Sequence, residues 1–189
     1  MIRGKKKTGS AGQEISAAKA VENNKPGSFV PDYFHERIPL TGQSMTLSLE
    51  KTLKELNTDY VDFFMIHEPQ ETIVNLDELA LTAERLKTQG KIRAWGLAFM
   101  KSQEYLHTDY LNAFDILQFN NSPGLTTYNQ TLKDRGNEAN IFFSPMRGEM
   151  MNLTPSEKLK RLLVDFSNSV VLCSMFNERH IKANADLVM

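Results

Sequence analysis

His67 stands where an apolar run, Val61, Phe63, Phe64, Met65 and Ile66, gives way to Glu68 and Pro69. An imidazole can donate a hydrogen bond, accept one or carry a proton near neutral pH. A run without polar alternation suits a strand covered on both faces, as in parallel sheets. Barrel and doubly wound α/β folds gather their active sites at the carboxyl ends of such strands, so His67 is placed for chemistry. The plain alternative is a core histidine with a satisfied hydrogen bond. The other histidines, His35, His107 and His180, are scattered without ligand spacing, and Cys173 is the single cysteine. Neither a metal centre nor an intrachain disulfide has support.

A side chain is held in place only by a folded core, and 189 residues with 41% hydrophobic side chains suffice for one. Lys+Arg 22 against Asp+Glu 23 gives a formal net charge of -1, so nothing pulls non-specifically on nucleic acid or an anionic membrane. No apolar run approaches the ~20 residues of a membrane span, and no apolar stretch follows the early lysines as in a signal peptide. The expectation is a soluble cytoplasmic protein acting on a small molecule.

Short apolar runs alternate with segments of helical period, which predicts parallel strand and helix units. Strands are expected over residues 61–66, 92–98, 114–119, 141–144 and 169–173. Ser44 can cap a helix over 43–56 whose Met45, Leu49, Leu53 and Leu56 recur at spacings of three and four. Asp77 opens another, with Leu79, Ala80, Ala83 and Leu86 on one face and Gly90 as its stop. Residues 128–135 form a short helix before the fourth strand. Pro155 suits the first turn of a helix carrying Leu159, Leu162, Leu163 and Phe166. Asn177 caps the last helix, through 181–188. Residues 1–43, broken by Pro26, Gly27, Pro31 and Pro39, read as a loop-rich lead-in with at most a short helix over 14–21. Residues 44–189 form the rest of a single domain.

Several of these segments resemble the aldo/keto reductases. SLEKTLKELNTDYVD at 48–62 followed by IHEP at 66–69 is similar to that family's central signature. GKIRAWG at 90–96, FDILQFN at 114–120, FFSP at 142–145 and the segment 170–184 resemble its later strands in the family's order. The resemblance implies a partial TIM (β/α)8 barrel, with five units corresponding to strands four to eight. The chain then reads as a fragment whose first strands lie upstream, with residues 1–43 a possible remnant of the third unit. It further implies carbonyl reduction by hydride transfer from NADPH, or alternatively NADH, with an Asp, Tyr, Lys and His tetrad supplying the proton.

On that resemblance His67 matches the tetrad histidine, and Lys7, in Lys7-Thr8-Gly9, faintly matches the lysine. Lys5, Lys6 and Lys7 read equally well as a solvated charge run. The tetrad Asp and Tyr have no counterpart in the matched segments. Gln118 matches a glutamine that bonds the nicotinamide carboxamide. Phe143, where tyrosine is usual, can stack on the ring or fill the core. Ser144, Met146 and Arg147 fall in the loop that wraps the pyrophosphate, though Arg147 is also an ordinary surface residue. Ser174, His180 and Asn184 align with positions that contact the adenosine end. Ala98-Phe99 replaces the family's Ser-Asn, and Ser174 and His180 replace a lysine and an arginine, with Arg179 or Lys182 as substitutes for the lost charge. Trp95 and Phe99 could line an apolar substrate mouth or serve as packing. A catalytically silent binding or interaction module is the alternative function, and an open five-stranded arc could self-associate through its edges.

Overall fold

The computed structural model describes residues 39–149 and 152–187, all within the unit Pro39–Met189. Lys7 and the short helix expected over 14–21 lie outside the described residues. The order is α1 (Gly42–Leu56), β1 (Val61–His67), α2 (Leu76–Thr88), β2 (Ile92–Phe99), two 3-10 turns (Lys101–Leu106 and Thr108–Ala113), β3 (Ile116–Asn120), α3 (Tyr128–Arg135), β4 (Asn140–Phe143), α4 (Pro155–Asp165), β5 (Val170–Val171) and α5 (Glu178–Ala185). The five strands form one sheet in chain order, every neighbour parallel. A doubly wound sheet reverses its strand order at a switch point; unbroken sequential order is what an arc of a (β/α)8 barrel shows.

Local chemistry explains the element ends. Thr41, not Ser44, caps α1, its hydroxyl oxygen accepting from the Ser44 backbone N–H at 3.1 Å. Asn57 closes the helix in the left-handed region at φ 52, which asparagine tolerates better than most residues. Gly90 takes φ +71 just beyond α2 and leads the chain into β2. α4 starts on a complete capping box, Thr154 with Glu157, with Pro155 in its first turn. Asn177 caps α5, accepting from the Arg179 N–H at 2.8 Å, and the helix stops at Ala185.

Side chains alternate along each strand, and in-register neighbours on parallel strands share a face. One face of the sheet meets α1, α2 and α4 in the core. Trp95, Leu97, Phe99, Leu117, Phe119 and Phe142 pack there with Leu49, Leu79, Leu86, Leu162 and Phe166. Rings run through it in sequence: Phe99 on Phe119 at 5.5 Å, Phe119 on Phe142 at 5.2 Å, Phe142 on Phe166 at 4.8 Å, and Phe166 on Tyr128 at 5.7 Å.

The other face differs from expectation at β1, which the apolar run suggests is covered on both sides. Phe63 is 49% exposed and His67 is exposed, because β1 is an edge strand whose second face meets no described layer. Val170 and Leu172 at the other edge are also open. β5 is shorter than expected, only two residues pairing with Ile141 and Phe142.

Candidate active site

β1 ends on His67, whose in-register partner on β2 is Ala98; Ala98 pairs with Gln118 on β3, and Gln118 with Ile141 on β4. These four residues form one transverse row on the face away from the helices, near the carboxyl ends of the strands. At the usual inter-strand spacing, His67 and Gln118 stand ~10 Å apart across Ala98. One step further along, Phe143 pairs with Asn120 and lies on the same face. Period and register therefore bring His67, Gln118 and Phe143 to one side of the sheet.

The layer below this row is closed. Met65, Gly96 and Ile116 are in register, and a Cβ on Gly96 would lie 2.6 Å from Met65 Sδ, 2.8 Å from Ile116 Cγ2 and 2.4 Å from the Ile116 carbonyl oxygen. Glycine lets those side chains converge into a floor under His67 and Gln118. Gly96→Ala is expected to cost about 1–3 kcal/mol by overpacking, read as a lower urea midpoint with an unchanged slope. An unaltered midpoint would show that the floor yields freely.

The availability of the polar groups matters as much as their placement. His67 is exposed and Gln118 half-buried, and neither side chain makes a hydrogen bond among the described residues. Arg147 is exposed and forms no ion pair there. The ring of Phe143, half-buried, has no aromatic neighbour among them. A free carboxamide, a free imidazole, a flat ring and a free guanidinium fit a nicotinamide dinucleotide lying across the strand ends. Two non-glycine residues outside the Asn57 cap have positive φ among the described residues, Glu68 at 45 and Ser144 at 53. Each directly follows a residue of this face, His67 or Phe143, and such backbone strain concentrates at functional sites.

The loops that carry these residues are pinned. Glu68 N–H donates to the Ala98 carbonyl at 2.7 Å. Further on, the Ile73 N–H donates to the Tyr110 hydroxyl at 2.9 Å, and that hydroxyl bonds His107 Nδ1 at 2.6 Å. His107 is fully buried; burial lowers its pKa, opposed by the Pro69 carbonyl. Beyond β3, Asn120 Oδ1 accepts from the Lys101 N–H at 2.7 Å, and Ser122 Oγ bonds the Pro145 carbonyl at 2.5 Å. His107, Tyr110 and Ser122 escape a reading of the sequence, since each lies in a segment without strand or helix periodicity.

Two expected site residues are corrected. Trp95 is 2% exposed and Phe99 fully buried on the helix side of β2, against Phe114 at 4.5 Å and Phe119 at 5.5 Å respectively, so they pack the core and line no substrate mouth. The cause is strand parity, which turns residues 95, 97 and 99 away from Ala98. Ser174 and His180 are exposed and Asn184 half-buried, on or just before α5, which packs against α4. Surface grooves lined by Gly42, Thr46, Glu78 and Arg85, and by Asn57, Asp59 and Lys91, contain none of the expected site residues.

The aldo/keto reductase family model matches residues 36–133. The chain belongs to the aldo/keto reductase family. It resembles an uncharacterized oxidoreductase, YcsN, of Bacillus subtilis, 34% identical over 58 residues that make up 31% of this chain and 19% of the relative. It also resembles the methylglyoxal reductase YeaE of Escherichia coli, 37% identical over 57 residues, 30% of this chain and 19% of that one. Among solved structures, a thermostable aldo-keto reductase in complex with the inhibitor epalrestat matches with TM-score 0.58 and 22% identity, over 79% of this chain and 62% of that chain. An aldo-keto reductase from Klebsiella pneumoniae in complex with NADPH matches with TM-score 0.56 and 16% identity, over 76% of this chain and 58% of that one. These structures establish the fold, and the five parallel strands correspond to part of its barrel. The chain spans under two thirds of the length of these relatives. Among the described residues no helix is long and apolar enough to cross a membrane, and no cluster of His, Cys, Asp and Glu could hold a metal ion.

Proposed function

We propose that this aldo/keto reductase chain binds a nicotinamide dinucleotide across the strand ends and takes part in NAD(P)H-dependent reduction of a small carbonyl compound. The supporting observation is the single row that sets an unpartnered His67 and an unpartnered Gln118 on one face, with Phe143 one step above. Gln118 offers a donor and an acceptor to the carboxamide, Phe143 a flat surface for the ring, and residues 144–147 with Arg147 a seat for the phosphates. When bound, the reduced cofactor supplies a hydride, which adds to the carbonyl carbon. His67 donates a hydrogen bond to the carbonyl oxygen as negative charge builds there. The alkoxide then takes a proton, from His67 or from water held by it, to give the alcohol.

Lys7 remains the proposed lysine of the tetrad. The relative named a methylglyoxal reductase makes small aldehydes such as methylglyoxal the first compounds to assay. Ser174, His180 and Asn184 are proposed for the adenosine end. With Ser174 and His180 in place of cations, Arg179 and Lys182 of the exposed α5 are the cations proposed to meet a 2′-phosphate. NADPH is therefore expected to bind no more than about tenfold more tightly than NADH, and Arg179→Ala with Lys182→Ala to erase that difference. Calorimetric titration of both cofactors checks this, and a preference that survives the double substitution would refute it.

Isothermal titration and a cofactor-induced rise in melting temperature test the reading as a whole. Trp95 is a poor reporter, since it faces the helix side. Absence of both signals would refute the reading. A specific observation favours a second reading, a silent binding module: Ala98 occupies the centre of the row, between His67 and Gln118, and brings no polar group to the carboxamide. Cofactor binding without aldehyde-dependent NADPH oxidation would select it. In both readings β1 and β5 end the sheet without a further strand partner among the described residues, and we propose self-association through these edges, testable by light scattering.

A further inference from the structure

We propose that Lys158 and Ser122 are positioning residues that hold residues 144–148 in the conformation that receives a dinucleotide phosphate; this rests on the cofactor reading above. Lys158, on α4, is 7% exposed. Its Nζ donates to the Met146 carbonyl at 3.2 Å and to the Gly148 carbonyl. Ser122 Oγ engages the Pro145 carbonyl at 2.5 Å and accepts from the Gly148 N–H at 3.0 Å. Three of the four carbonyls from residue 145 to 148, all but that of Arg147, are thus tied to donors from the protein body, so their negative ends cannot oppose an anion. Gly148 is pressed against the turn below: a Cβ there would sit 2.1 Å from the Pro123 carbonyl oxygen. Ser144, at φ 53, sets the loop's departure from β4.

The charge of Lys158 gives the second strand of argument. Among the described residues this ammonium has no carboxylate partner, only neutral carbonyls. A cation hidden from water is costly unless a counter-charge completes it. An anion seated on the outer side of the same loop, beside the exposed Arg147, supplies that charge. The loop therefore combines a fixed backbone with an uncompensated positive charge beneath it, the chemistry of a phosphate seat.

The test compares wild type, Lys158→Met, Lys158→Arg and Ser122→Ala. Two readouts are used: amide hydrogen exchange in the ligand-free protein and NADPH titration by calorimetry. Lys158→Met is expected to speed exchange across residues 146–148 at least tenfold, leave β2 and β3 amides unchanged, and raise the NADPH dissociation constant at least tenfold. Lys158→Arg restores most of both, and Ser122→Ala gives a smaller change of the same kind. Unchanged exchange in Lys158→Met overturns the proposal. So does exchange that rises everywhere in step with a lowered melting temperature while the folded fraction still binds NADPH as wild type does. If wild type binds no NADPH, the cofactor reading fails and the phosphate role of the loop with it, while local exchange in Lys158→Met still shows whether Lys158 holds the loop.

Discussion

Phe142→Ala is expected to destabilise the protein by about 3–5 kcal/mol, whereas alanine at its neighbour Phe143 costs far less. Phe142 is fully buried on the helix side, with edge contacts to Phe119 at 5.2 Å and Phe166 at 4.8 Å. Phe166 in turn meets Tyr128, whose hydroxyl donates to Asp165 at 2.9 Å. The ring thus joins β3, β4 and the end of α4, with α3 reached only through Phe166, and its removal leaves a cavity that these elements must collapse around. Domains are typically stable by only about 5–15 kcal/mol, so the loss takes a large part of the total. Phe143 points to the opposite face, is half-buried and has no aromatic neighbour among the described residues. Its replacement is expected to weaken cofactor binding more than folding. Urea unfolding of the two variants separates the roles. Equal losses of stability would mean that the two faces of β4 are packed alike, contrary to the register described.

How much of this was legible in the sequence depends on the range of the interaction. Hydrophobic period and turn chemistry act locally, and they placed α3, the Pro155 start of α4, the Gly90 stop and the cap at Asn177. Strand length was harder: at β5 an apolar run of four residues pairs over two, because pairing depends on the partner strand and not on the run itself. The connection between β2 and β3 forms two 3-10 turns, for which residues 101–113 carry no amphipathic repeat. Register is a long-range property, so the row through His67, Ala98 and Gln118 had to come from the structure. Alternation alone, by contrast, forbids Ala98 and Phe99 from facing the same cleft. Lys158 shows the opposite limit. A lysine in a helix with charged neighbours reads as surface, and only the path of residues 146–148 over α4 makes it an interior donor.

The register also makes His67 the most exacting test of the proposed chemistry. His67 sits at the exposed end of an edge strand and bonds no other described side chain, so His67→Ala is expected to change stability by less than ~0.5 kcal/mol. A donor aimed at the oxygen of a reacting carbonyl is worth far more in the transition state than in the ground state. Its loss is expected to lower kcat for aldehyde reduction about 10²–10³-fold. KM and the NADPH dissociation constant should hardly move, since neither depends on charge that develops only during hydride addition. His67→Gln keeps a neutral donor and should recover part of the rate. The ratio is what counts: the group that supplies the proton sets about 10²–10⁴ of the absolute rate, while the hydrogen bond from His67 stabilises the same oxygen in every case. Steady-state oxidation of NADPH with methylglyoxal, for wild type and both variants, measures it. An unchanged kcat in His67→Ala would remove His67 from the reaction, and a fall matched by weakened NADPH binding would reassign it to holding the cofactor.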